Sequence, residues 1–139
     1  MKEHYIRFAG ELVPFKLESI FKEITSFADI GGGNGYLTMK ICKKFPHLRG
    51  VTVDLPHLHE VYNEYIIRPE FKGLSDRVAF LSLDFLKEEL PHAVDAFIFG
   101  CILHELTEDK KRALLIKAFK ALKMGGRIII FENLIDDAK

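Results

Sequence analysis

The sequence has only two cysteines, Cys42 and Cys101. So few thiols build no disulfide framework, which points to a reducing, cytoplasmic setting. It has no charge imbalance either: 20 Lys and Arg offset 20 Asp and Glu. A neutral chain has no general attraction for a phosphate backbone or an anionic membrane, so neither nucleic acid nor membrane is an expected partner. No apolar run approaches the roughly 20 residues that span a bilayer. The opening Met1-Lys2-Glu3-His4 lacks the apolar core of a signal peptide. Repeats and low-complexity segments are absent. What is present is 139 residues, 48% of them apolar, enough for one globular domain with a core.

Hydrophobic periodicity alternates along the chain. Residues 1–25 read as one or two amphipathic helical pieces split by Pro14, a lead-in to a domain over 26–139. Residues 27–30 read as a strand. A helix follows with Leu37, Ile41 and Phe45 on one face, stopped by Pro46. Further strands are predicted at 51–54, 78–83, 94–99 and 127–132. Helices are predicted from about Pro56 to Phe71 and from Thr107 to the Gly125-Gly126 pair. Thr107 suits an N-cap, and Glu108 and Asp109 suit the positive end of that helix. Strands alternating with helices at this spacing predict an α/β fold: a Rossmann-like, doubly wound parallel sheet in three layers.

The most informative segment is Asp29-Ile30-Gly31-Gly32-Gly33-Asn34-Gly35. Glycines at a strand-to-helix turn let a ligand approach the backbone. In open α/β sheets the ligand crevice lies there, at the carboxyl ends of the strands. Asp54 closes the second predicted strand, where an acid can hold ribose hydroxyls. A dinucleotide fingerprint counted from Gly31 needs glycine at position 36, which is Tyr36, and no Walker lysine follows. Asp29 just ahead of the turn would repel a diphosphate and attract a cation. S-adenosylmethionine, with a sulfonium and an ammonium, meets that demand better than NAD.

Five segments in order then carry a resemblance: the glycine turn, Val53-Asp54-Leu55-Pro56, Asp76-Arg77-Val78-Ala79-Phe80 with Asp84-Phe85, Leu103-His104-Glu105-Leu106, and Gly125 to Glu132. Together they resemble the class I S-adenosylmethionine-dependent O-methyltransferases of the caffeate, hydroxyindole and carotenoid type, from about Phe27 to Glu132. The resemblance implies a methyltransferase fold with S-adenosyl-L-methionine as cofactor. It implies that Gly31, Gly33 and the neighbouring backbone, with Asp29 ahead of them, line the methionine part. Asp54, followed by Leu55, would take the ribose hydroxyls, Asp84 the adenine amino group, and Phe85 the ring. His104 matches the family's general base, and Glu132 the carboxylate that orients it. Gly100 stands where the family commonly has a lysine four residues before that histidine. The family fold also carries two more strands and an N-terminal substrate and dimerisation domain, so the chain reads as a truncated core, self-associating or part of a longer protein.

Methyl transfer from a sulfonium requires an aligned acceptor and removal of its proton. Imidazole, with an ordinary pKa near 6.5, is suited to accept it. The implied acceptor is a hydroxyl of a small aromatic or polyketide-like molecule. No metal is expected: His57 and His59 would point about 200° apart on a helix. The region after the fourth strand, Gly100 to Leu103, lacks the Pro-Pro turn of nucleobase N-methyltransferases. The alternatives are a cofactor-binding module without activity of its own and, more remotely, an NAD enzyme.

Overall fold

The computed structural model describes residues 2–132, with side chains from Arg7 onward. Five parallel strands form one sheet in the order β3-β2-β1-β4-β5. They are β1 (Ser26–Ile30), β2 (Arg49–Asp54), β3 (Val78–Ser82), β4 (Val94–Gly100) and β5 (Leu122–Phe131). The helices are α1 (Lys2–Lys16), α2 (Glu18–Glu23), α3 (Tyr36–Lys44), α4 (His59–Ile66) and α5 (Glu108–Ala121).

Because side chains alternate along a strand, the sheet feeds two cores. Phe27, Ala96, Ile98 and Ile129 face one way and are buried with residues of α1 to α4. Ala28, Ile30, Val53, Phe97 and Phe99 face the other and are buried with Leu114, Ala118 and Ala121 of α5. That makes three layers, as the strand–helix alternation predicted. Burying each large apolar side chain contributes about 1.5–3 kcal/mol, so both faces hold the sheet firmly. β1 pairs with β2 on one side and β4 on the other. The strand order reverses there, which places the crevice of an open α/β sheet at the carboxyl end of β1.

Three sequence expectations are corrected. Pro14 lies inside α1, and the break falls at Leu17, where φ/ψ leaves the helical region. The proline removes one donor, yet Leu17 N still bonds Val13 O at 3.0 Å and Ala9 and Val13 stay buried. The helix expected over 56–71 is three pieces: one 3₁₀ turn at Pro56–Leu58, then α4, then a second turn at Pro69–Phe71. Pro69 forbids a continuous helix by extending Arg68 (ψ 144°). The Gly125-Gly126 pair does not end α5. Leu122 is already extended and pairs with Val94, and the register jumps so that Ala96 faces Arg127. The glycines sit in the resulting bulge, where Gly125 has φ +79°.

Candidate active site

The chain turns from β1 into α3 through backbone that glycine alone adopts easily. Gly31, Gly33 and Gly35 have φ of +73°, +61° and +80°. A Cβ on Gly31 would lie 2.7 Å from Ile102 Cγ2, and one on Gly35 would meet the Tyr62 ring. A Cβ on Gly33 would meet nothing within 4 Å. Gly31 and Gly35 therefore serve close packing, while Gly33 presents bare backbone to open space. Asn34 Oδ1 accepts from Tyr36 N at 2.9 Å and starts α3.

Asp54 ties the turn in place. One carboxylate oxygen accepts from Gly33 N at 2.9 Å and the other from Leu55 N at 2.8 Å. Asp29 lies beneath, 3% exposed, its Oδ2 close to where a Cβ on Gly32 would stand. Burial, and then the negative charge of Asp54, raise the Asp29 carboxyl to about 8. The full negative charge that the sequence reading gave Asp29 is corrected accordingly: at neutral pH, without ligand, it is largely protonated. Among the described residues no lysine or arginine forms an ion pair with Asp29, Asp54 or Asp84. A donor-rich cation or sugar suits this set, and a diphosphate does not.

Further along the crevice rim, Leu55 is exposed at the end of β2. Asp84 opens a single turn after β3, with Oδ1 accepting from Leu86 N at 3.1 Å. Phe85 is half-buried on the α5-side core.

At the end of β4, Cys101 takes φ +56°. That left-handed residue swings the chain into a 3₁₀ turn at Leu103–Glu105, and nothing in the sequence marked it. His104 sits on that turn, 56% exposed in its side chain. Its Nδ1 lies 2.8 Å from Glu132 Oε2, just past the end of β5. Glu132 Oε1 accepts from the backbone N of Leu103 at 3.0 Å and of His104 at 3.3 Å. One carboxylate thus fixes both the turn and the ring. A carboxylate only accepts, so in the neutral ring Nδ1 carries the proton and Nε2 keeps the lone pair, with Glu105 Oε1 3.8 Å from Nε2. Ile102, from the same turn, covers Gly31. The missing lysine at Gly100 also has a local cause, because the Phe131 ring occupies the space a side chain would need.

The sequence residues therefore gather at one end of the sheet: Asp29, Gly31, Gly33 and Asp54 around the first turn, Asp84 and Phe85 beyond β3, His104 and Glu132 beyond β4 and β5. The Asp76-to-Phe80 segment does not join them. Arg77 instead donates to the carbonyls of Cys42 and Leu48, at 3.0 and 2.9 Å, capping the carboxyl end of α3. No helix is long and apolar enough to cross a membrane among the described residues.

A family model described as the O-methyltransferase domain matches residues 4–139. A 3-hydroxy-5-methyl-1-naphthoate 3-O-methyltransferase of Streptomyces sahachiroi is 37% identical over 111 residues, covering 80% of this chain and 31% of that protein. The N,N-dimethyltransferase OxyT of Streptomyces rimosus is 37% identical over 113 residues, covering 81% and 32%. The crystal structure of the S-adenosylmethionine-dependent methyltransferase SibL in its apo form matches with a TM-score of 0.86 at 25% identity, covering 99% of this chain and 39% of that one. The chain spans about a third of the length of the curated relatives it matches.

Proposed function

The chain belongs to the O-methyltransferase domain family, and from that premise we propose that it binds S-adenosyl-L-methionine and methylates a hydroxyl of a small aromatic or polyketide-like molecule. The cofactor supplies an electrophilic methyl group on a sulfonium. Gly33 gives it bare backbone to approach. Asp29 and Asp54 meet the cationic and ribose parts, with Gly31 shaping the turn and Leu55 beside the ribose. Asp84 accepts from the adenine amino group, and Phe85 lies against the ring.

The observation that carries the reading is the His104–Glu132 pair at 2.8 Å, on a turn packed against the glycine turn. Glu132 holds the imidazole with Nε2 outward. His104 takes the acceptor's hydroxyl proton there, and Glu132 stabilises the imidazolium that results. General-base help of this kind is worth about 10²–10⁴ in rate. The proposal includes a cytoplasmic setting and a chain that self-associates or belongs to a longer protein; light scattering on the purified protein checks the self-association.

The test is transfer of labelled methyl from S-adenosylmethionine to a panel of phenols and anilines. Phenols are expected to be methylated, and His104→Ala to slow that by about 10²–10⁴ while leaving S-adenosylhomocysteine binding intact. Unchanged phenol turnover in the variant would sink the base assignment. The share of the relatives that the chain spans favours a second reading, a cofactor-binding module that needs a partner or a further domain for catalysis. Its signature is S-adenosylhomocysteine binding with no transfer to any acceptor.

A further inference from the structure

The turn Asp84–Glu88 replaces a crossover helix between β3 and β4, and its outward carbonyls have no following helical residues to bond. Asp84 O accepts from the backbone N of Lys87 and Glu88, at 3.0 and 2.8 Å, and Glu88 Oε2 reaches back to Asp84 N at 3.1 Å. The unit is one isolated helical turn. A short turn of this kind is marginal unless something outside it satisfies its far end. An open cleft of about 210 Å³ lies between it and α5, so the turn is only partly backed by side chains. Lys117 of α5 bridges that cleft. Its ammonium donates to the carbonyl of Phe85 at 2.6 Å and to that of Glu88 at 2.7 Å. These two carbonyls, three residues apart, project from the same side of the turn, as the last carbonyls of a helix do when a lysine caps them.

We propose that Lys117 is a positioning residue for the cofactor: by gripping the Phe85 and Glu88 carbonyls from α5, it fixes the turn that presents Asp84 and Phe85 to the adenine ring. The inference rests on the assignment of Asp84 and Phe85 to the adenine end made above. Its chemistry is specific. One oxygen of Asp84 is engaged by Leu86 N, and a carboxylate has room for a further donor on the other. The adenine 6-amino group is such a donor. Hypoxanthine carries a 6-oxo group there, an acceptor facing an acceptor. Discrimination between the two bases depends on where Asp84 is held, and Lys117 does the holding without touching the ligand.

The experiment is calorimetric titration of S-adenosylhomocysteine and S-inosylhomocysteine into the wild-type chain, Lys117→Met, Lys117→Arg and Asp84→Asn. All are measured at a temperature where circular dichroism shows each folded. The wild type is expected to prefer the adenine ligand by about tenfold or more, the worth of one hydrogen bond to a charged group. Lys117→Met keeps the alkyl stem and is expected to bring that preference down to about that of Asp84→Asn. Lys117→Arg, which can still donate to both carbonyls, is expected to restore most of it. A purely structural lysine would lower the melting temperature and leave the ratio of the two affinities where it was. An undiminished adenine preference in Lys117→Met overturns the proposal. Failure of the wild type to bind S-adenosylhomocysteine overturns the cofactor assignment beneath it, and equal wild-type affinity for the two ligands overturns the adenine role of Asp84.

Discussion

The two ends of the sheet treat their carboxylates in opposite ways. At the amino end, Asp95 opens β4 and accepts from Thr25 N and Thr25 Oγ1 at 2.8 Å and from Ser26 N at 3.1 Å, with Lys123 Nζ 3.6 Å away. Burial alone would raise this carboxyl, but the hydrogen bonds from Thr25 and Ser26 and the charge of Lys123 hold it below its ordinary value. Arg77 caps α3 there too, and Arg127 pairs with Glu23. At the carboxyl end, Asp29 is sealed against Asp54 and its carboxyl is raised. At the amino end the carboxylates are paired with lysine or arginine as well as hydrogen-bonded. At the carboxyl end Asp54 accepts from backbone N–H groups on both oxygens, yet among the described residues no lysine or arginine pairs with it or with Asp29. The two ends differ in countercharge rather than in hydrogen bonding, and a cationic ligand can supply what the second end lacks.

The comparison breaks most visibly at His104. His104→Ala is expected to lower phenol methylation by about 10²–10⁴, with denaturant midpoint and S-adenosylhomocysteine affinity unmoved. A parallel loss of stability would show that this end, too, is structural.

Asp95→Ala is expected to do the reverse. It removes several hydrogen bonds to a charged group and should cost about 2–3 kcal/mol in urea unfolding, with ligand affinity retained. Because its folded pKa is depressed, the stabilisation is present above the unfolded carboxylate value and is lost as pH falls through the folded one.

Gly33→Ala tests whether the glycine turn divides its labour. The added methyl has open space, so the expected stability loss is the left-handed strain of about 1–2 kcal/mol. Affinity for S-adenosylhomocysteine should fall by more than that strain alone. If affinity were unchanged, Gly33 would not face the ligand.

The smallest effect at low pH is expected from Asp29→Asn, which mimics the protonated acid. Below about pH 4, where the wild-type carboxyl holds its proton folded and unfolded alike, the stability of the variant should lie within about 0.5 kcal/mol of the wild type. In the wild type the native state keeps a proton that the unfolded chain gives up, so Asp29 subtracts stability as pH rises from about 4, the unfolded value, towards about 8. The variant should lack that decline. If the ligand ammonium binds the ionised acid, as proposed, the variant should also flatten the rise of S-adenosylhomocysteine affinity with pH over the same window. Titrations in buffers of different ionisation heat read the proton release directly.

The placement of much of the candidate site was legible because its signals are local. The glycines, Asp54 and His104 lie within a few residues of strand ends, and strand ends are visible as changes of period. Thr107 was legible for the same reason: its hydroxyl accepts from Lys110 N at 3.3 Å, a contact within one turn. Lys117 was not legible, since it acts 32 residues from Phe85 across a layer. Cys101 was not either, because nothing about cysteine announces a left-handed turn. The Gly125-Gly126 pair misled because it resembles a helix stop, while the pairing of Leu122 with Val94 decides where α5 ends.

Alternating period and the spacing of glycines and acids were enough to determine the layered parallel sheet and the end of it at which the candidate residues gather, since both follow from one-dimensional patterns. Which carboxyls carry charge, which lysine braces which turn, and where α5 yields to β5 were decided by the tertiary structure. Burial and cross-layer contact set those energies, and both depend on residues far apart in the chain.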